Sequence, residues 1–251
     1  MNPYKLKTGA ASNDAVTQLE TANSNLAFEM AKESIVLLKN DGALPIPPMS
    51  RIALYGNGVL PTLKGGTGSG EVNGRHDVSI YEGMKKAGFV VTSESWLRDY
   101  EQEFISGREA FAASVKATLK NSLQHFNMTS LGDAFGMSYE YPYGRDVTMQ
   151  DLQEANTDVC FYVVSRQCGE NMDRNPDDFS YHLTEKELRD LNFCAMHFNK
   201  TILVLNVGAA MDLSEVESID GLNAIVYMGM QGCRGGDAFA SIVSGETSPS
   251  G

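Results

Sequence analysis

Midway along the chain an apolar stretch gives way to a charged one whose residue types could move protons. The apolar part, Val159 to Ser165, is rich in β-branched and aromatic residues, as in a strand buried on both faces. The charged part reads Arg166, Gln167, Cys168, Gly169, Glu170, Asn171, Met172, Asp173 and Arg174. Two carboxylates and two arginines therefore stand at a strand end, where α/β proteins place their ligands. Gly169 permits a sharp turn, so that Glu170 can project beyond the sheet edge. A glutamic acid in such a place can act as a general acid once its pKa is raised. The same residues also read as a solvated polar loop with Asp173 paired to Arg174.

A second candidate is the glycine stretch Gly65, Gly66, Thr67, Gly68, Ser69 and Gly70. Its spacing is not G-x-G-x-x-G, no GK[ST] follows, and about ten residues separate it from the next helical pattern, so a nucleotide cradle fits it poorly. It reads either as a flexible surface loop or as a loop whose backbone approaches a ligand closely. Ser69 has Thr67 and Glu71 where a nucleophile elbow needs glycines. His76, His125, His182 and His197 form no triad pattern, and each reads as a surface or packing residue. Cys160, Cys168, Cys194 and Cys233 contain no C-x-x-C pair and have no histidine at ligand spacing. They read as free, mostly buried thiols in a reducing cytoplasm, and neither a metal nor a cofactor is expected.

The elements that must position these residues follow from periodicity. Met1 to Glu20 is polar, so residues 1–22 read as an arm ahead of a domain of residues 23–251, and Asn23 to Lys39 reads as a helix ended by Asn40, Asp41 and Gly42. Strands are expected at Arg51–Tyr55, Phe89–Val91, Val159–Ser165, Thr201–Asn206 and Ala224–Tyr227. Helices are expected at Ser79–Ala87, Met149–Ala155, Thr184–Phe198 and Gly235–Val243, with Thr184 and Glu187 spaced as a capping box. Residues 98–145, polar and helical at first and then irregular around Tyr139, Tyr141 and Tyr143, read as an insertion. Apolar strands alternating with helices imply an α/β protein with a mostly parallel sheet covered on both faces.

The 251 residues, 42% of them hydrophobic and 21% charged, suit one large domain or one domain with an elaborated insertion. The net charge of −12 repels phosphate backbones and anionic membranes, so nucleic acid and membranes are not expected partners. Neutral ligands such as sugars are compatible with it. No apolar run approaches the roughly 20 residues of a membrane span.

Several of these pieces, in order, resemble one family. Ala31 to Asn40 with Leu44, Pro45 and Ile46 is similar to the opening of the α/β-sandwich domain of family 3 glycoside hydrolases. Arg51 to Gly56 resembles its first strand, Gly65 to Ser69 its glycine-serine loop, and Ser165 to Arg174 the segment bearing its acid/base glutamate. Leu183 to Leu191, Val204 to Gly208, Tyr227 to Gly236 and Gly245 to Gly251 resemble the pieces that follow. The resemblance spans most of residues 23–251, is weak over 98–145, and implies a three-layer α/β/α sandwich of about six strands. It further implies a β-glucosidase-like hydrolase acting on a β-linked glucoside or oligosaccharide with retention. In that mechanism the nucleophilic aspartate belongs to a (β/α)8-like barrel domain of the same parent protein, and its Ser-Asp-Trp-type motif is absent here.

Carried over by motif, Glu170 is the acid/base, Gly68, Ser69 and Arg166 bind substrate, and Asp173 and Arg174 support the loop. The isolated chain is then expected to be inactive, and its open barrel-facing surface is compatible with a homo-oligomer. A polar arm behind Met1, without the apolar stretch of a signal peptide, leads to the expectation of a cytoplasmic protein whose barrel follows this domain. Two rivals remain on the sequence: a doubly wound nucleotide-binding module, and a non-catalytic carbohydrate-binding or docking domain.

Overall fold

The computed structural model describes residues 14–72, 74–124, 137, 139–167, 169 and 179–251, with the backbone alone for Ser69. Among them six strands form one sheet in the order β1-β6-β5-β4-β2-β3. The strands are β1 (Val36–Asn40), β2 (Arg51–Tyr55), β3 (Val90–Val91), β4 (Val159–Arg166), β5 (Lys200–Val207) and β6 (Leu222–Tyr227). β1 runs antiparallel to β6; every other pairing is parallel. β4 and β5 sit at the centre with seven of eight residues buried in each, which is why their sequences are continuous apolar runs rather than alternations. The four longer parallel strands begin within two residues of where the sequence predicts them, and β3 is one residue shorter.

Successive residues of β4 identify the two covering layers. Phe161 meets Phe239 edge-on, with ring centroids 5.9 Å apart, on the helix α6 (Gly235–Ser244). α6 packs with α1 (Gln18–Ser34) and α2 (Ile80–Lys86). Tyr162 points the other way, its hydroxyl 3.4 Å from Asp190 on α5 (Glu185–His197). Its register partner Tyr55 packs edge-on against Trp96 of α3 (Glu94–Gln124) and donates to the Asp151 carbonyl of α4 (Met149–Ala155). The result is the expected α/β/α sandwich.

The N-terminal region departs from the sequence reading. The helix occupies Gln18–Ser34, not residues 23–39, and Val36–Asn40 is the strand β1. Its start lies inside the supposed arm of residues 1–22 because Thr17 and Glu20 form a reciprocal capping box. Its end is set by Ile35, which turns extended at φ −79° and ψ 128°, so that the following residues can pair with β6. Over so few apolar residues helical and strand periodicities coincide, and the open edge of β6 decides between them. Likewise α3 begins at Glu94 rather than near Arg98, because Trp96, Leu97 and Tyr100 bury its first turns.

Where α2 crosses α6 there is no room for side chains. A Cβ on Gly83 would lie 2.1 Å from the Gly236 carbonyl oxygen, and one on Gly236 2.0 Å from that of Ser79. This backbone-to-backbone contact fixes the start of α2, and with it the far end of the glycine-rich loop.

Candidate functional site

The loops that leave the carboxyl ends of β2, β4, β5 and β6 are tied to one another before any ligand is considered. β2 is followed at once by Gly56, where φ is +93° and a Cβ would collide with the Val163 carbonyl oxygen at 2.2 Å. The buried Asn57 follows. Its Oδ1 accepts from the Ser165 amide at 2.7 Å and its Nδ2 donates to the Ser165 carbonyl at 3.3 Å, so a side chain continues the β2–β4 pairing beyond the last strand residue. Asn206, near the end of β5, is wholly buried. It accepts from the Leu63 amide at 2.7 Å and donates to the Leu63 and Gly229 carbonyls at 2.9 and 2.7 Å. One amide side chain thus fixes both the glycine-rich loop and the loop after β6.

The glycine-rich loop encloses a cavity of about 360 Å³. Its walls include Lys64, Gly65, Gly66, Thr67, Tyr141 and Gln167, so it lies between the glycine stretch and the first residue beyond β4. Lys64 and Asp77, at the two ends of the loop, form an ion pair at 2.5 Å. The second Asp77 oxygen is buried against Gly74 without a hydrogen-bond partner among the described residues, and a Cβ at Gly74 would lie 2.3 Å from it. Gly68 opens a 3₁₀ turn over Gly68–Gly70 at the tip of the loop with φ +76°, exposed and outside the described lining. The side chain of Ser69 lies outside the described residues.

The start of α2 borders this cavity but is no anion site. The Ser79 amide donates to the Glu82 carboxylate at 2.9 Å, Ile80 to the Thr62 hydroxyl at 2.8 Å, and Glu82 to the Ser79 hydroxyl at 3.2 Å. The Tyr81 amide reaches the Val59 carbonyl at 3.4 Å. With its amides taken and a carboxylate seated over them, this terminus repels a phosphate instead of binding one. The nucleotide-module reading loses its site here.

Arg166, expected to bind substrate, is spent elsewhere. Its Nε donates to the Phe179 carbonyl at 2.7 Å. Nη1 donates to the Ser165 carbonyl at 3.0 Å and to Glu187 at 2.7 Å, and Nη2 donates to Glu187 and to the His182 carbonyl at 3.2 Å. All five N–H groups are committed, which leaves none for a sugar. Burial works against the guanidinium's charge, but the Glu187 carboxylate outweighs it and holds the pKa above its ordinary value. Glu187 also receives the Thr184 amide and hydroxyl in the expected capping box. Arg166 is therefore a brace. It joins the end of β4, the far side of the following segment and the start of α5, and its guanidinium stacks over the Tyr143 ring at 5.6 Å.

Glu170, Asp173, Arg174 and Cys168 lie outside the described residues. Cys160, Cys194 and Cys233 are free thiols, the first two buried. Among the described residues no group of His, Cys, Asp and Glu side chains could hold a metal ion.

The family model described as "Glycosyl hydrolase family 3 C-terminal domain" matches residues 35–251. The chain belongs to that family. β-Glucosidase A of Butyrivibrio fibrisolvens is 29% identical over 249 residues, covering 90% of this chain and 27% of that protein. A β-glucosidase of Ruminococcus albus is 26% identical over 230 residues, covering 90% of this chain and 22% of that protein. Among solved structures, β-glucosidase 3B of Thermotoga neapolitana in complex with α-D-glucose superposes with a TM-score of 0.73 at 26% identity, covering 91% of this chain and 30% of that one. This family 3 C-terminal domain spans about a quarter of the length of the curated relatives it matches.

Sequence reasoning named the two loops but missed what holds them. Asn57 and Asn206 carry a signal, since an amide at the end of an apolar strand must find buried partners. The pairing of Lys64 with Asp77 carries none, because the residues between them leave many geometries open.

Proposed function

We propose that this domain forms one wall of the active-site cleft of a retaining, β-glucosidase-like hydrolase, and that Glu170 is its acid/base. The observation that carries the reading is the ligand-sized cavity at the carboxyl edge of the sheet, between the glycine loop and Gln167. Gln167 lies three residues before Glu170, in a chain similar over 90% of its length to a β-glucosidase. In the first step Glu170 gives its proton to the glycosidic oxygen as an aspartate of the barrel domain attacks the anomeric carbon and the C–O bond breaks. In the second, the Glu170 carboxylate takes a proton from the water that releases the sugar from that aspartate. Retention asks for two carboxyl groups about 5 Å apart, so this chain alone is expected to be inactive. Ser69 and the glycine backbone line the mouth of the sugar site in this reading, and Asp173 and Arg174 hold the loop. In this reading residues 98–145 are an insertion on the domain and the setting is cytoplasmic, with which the free Cys160, Cys194 and Cys233 thiols are compatible.

The test is Glu170→Ala in the full-length parent. It should slow glucosides with poor leaving groups far more than activated aryl glucosides, because only the former need the proton. Azide should then restore turnover of the aryl substrate by attacking the glycosyl-enzyme directly. Equal slowing of both substrates with no azide effect assigns the proton to another residue. Loss of sugar binding with turnover intact at saturation would turn the domain into a docking module.

A further inference from the structure

We propose that Tyr141 determines specificity on the leaving-group side of the cleft, by packing its ring and offering its hydroxyl to a second sugar. The proposal rests on the reading above, in which this domain supplies the proton. A proton donor must touch the glycosidic oxygen, so the walls of the domain that carries it border the leaving group. The cavity beside Gln167 is such a wall, and its 360 Å³ falls within the range of small-ligand sites. Its other described lining mixes glycine backbone, short polar side chains and the Lys64–Asp77 pair with the apolar Leu60, Pro61 and Leu63 and the His76 imidazole, and Tyr141 brings the phenol ring.

That ring is held from behind. Phe104 of α3 meets it edge-on at 5.0 Å and 81°, and Tyr139 lies against it at 6.2 Å. Tyr139 is itself anchored, its hydroxyl donating to the Phe104 carbonyl at 3.1 Å. A platform fixed in this way loses little entropy when a ligand settles on it. Its hydroxyl is also unspent. Tyr55, Tyr100, Tyr139 and Tyr162 each place theirs on a partner within the chain. The Tyr141 hydroxyl has no partner among the described residues; its side chain is half-buried, and burial pushes its pKa up. With the ring held and the hydroxyl accessible, both are on offer to a ligand in the cavity. A sugar, apolar on its C–H faces and hydroxylated at its rim, satisfies both the ring and the hydroxyl. A flat aryl group uses the ring alone.

The experiment uses the full-length parent with Tyr141→Phe and Tyr141→Ala, assayed on cellobiose and on p-nitrophenyl β-glucoside. Tyr141→Phe keeps the ring and should lower kcat/KM for cellobiose about fivefold, the worth of one hydrogen bond, while leaving the aryl substrate within about twofold. Tyr141→Ala should lower cellobiose turnover about fiftyfold, mainly through KM, and the aryl substrate less. Unchanged melting temperature of the Phe variant excludes a folding effect. Equal losses on both substrates, or no loss on either, overturn the assignment. Glu170→Ala measured alongside fails separately: uniform slowing there removes the proton-donor role, while a cellobiose-selective loss at Tyr141 still locates a sugar site in this cavity.

Discussion

Replacing Arg166 with methionine should be among the most damaging single changes at the sheet edge. The side chain is 8% exposed and that of its partner Glu187 2%. Methionine fills much of the same volume, so packing is a small part of the cost. What is lost is every hydrogen bond of the guanidinium, and what remains is a buried carboxylate held only by Thr184, with the Ser165, Phe179 and His182 carbonyls left without this donor. Breaking a buried ion pair by removing one member costs about 3–5 kcal/mol. For a domain of this size each kcal/mol moves Tm by about 2–4 °C, so a fall of roughly 10 °C is expected. Thermal unfolding of the isolated domain, followed by circular dichroism, measures the fall in Tm, and urea unfolding the free-energy cost. Arg166→Met with Glu187→Gln, which removes the orphaned charge and keeps an acceptor for Thr184, should regain part of the loss. A single-variant cost below about 1 kcal/mol would refute the buried five-bond brace.

Two other changes test the frame around the site. Asp151 is largely buried, which favours its neutral form, yet bidentate bonding by Arg145 and the Thr148 cap outweigh this and hold its pKa below the ordinary 3.8. A depressed carboxylate adds stability that is present above its unfolded pKa and is lost as pH falls through the lower folded value. Tm should therefore fall steeply below about pH 4, and Arg145→Met should flatten that limb; an unchanged slope would remove the pair from acid stability. Gly83→Ala places a methyl group against the Gly236 carbonyl and should cost about 3 kcal/mol in urea unfolding, whereas a neutral result would show that the α2–α6 crossing yields.

The sheet was legible because its strands are buried on both faces, and a short, continuous, β-branched apolar run between helical segments suits a buried parallel strand better than a helix. β1 was not legible. Val36 to Asn40 reads equally well as the end of a helix, and only the edge of β6, whose strand lies nearly two hundred residues later, supplies its backbone partners. α1 was misplaced for a smaller reason: Thr17 and Glu20 are a capping box in plain view, but they lie in a polar stretch with no apolar stripe to announce a helix.

The site was legible as chemistry and not as geometry. Two carboxylates and two arginines at a strand end mark a place, but residue type does not say which arginine faces a ligand and which faces the protein. For Arg166 its burial shows that it faces the protein, and that depends on Glu187 being brought back by the turn into α5. The glycine loop follows the same plan, closed at its base by Lys64 and Asp77. Asn57 and Asn206 then bind the loops to each other and to the strand ends. Each loop is thus fixed at its root by groups drawn from distant parts of the chain. The consequence is a division of labour: buried polar side chains hold the wall in shape, so the glycine backbone and Tyr141, which face the cavity, are free to be specified by the ligand.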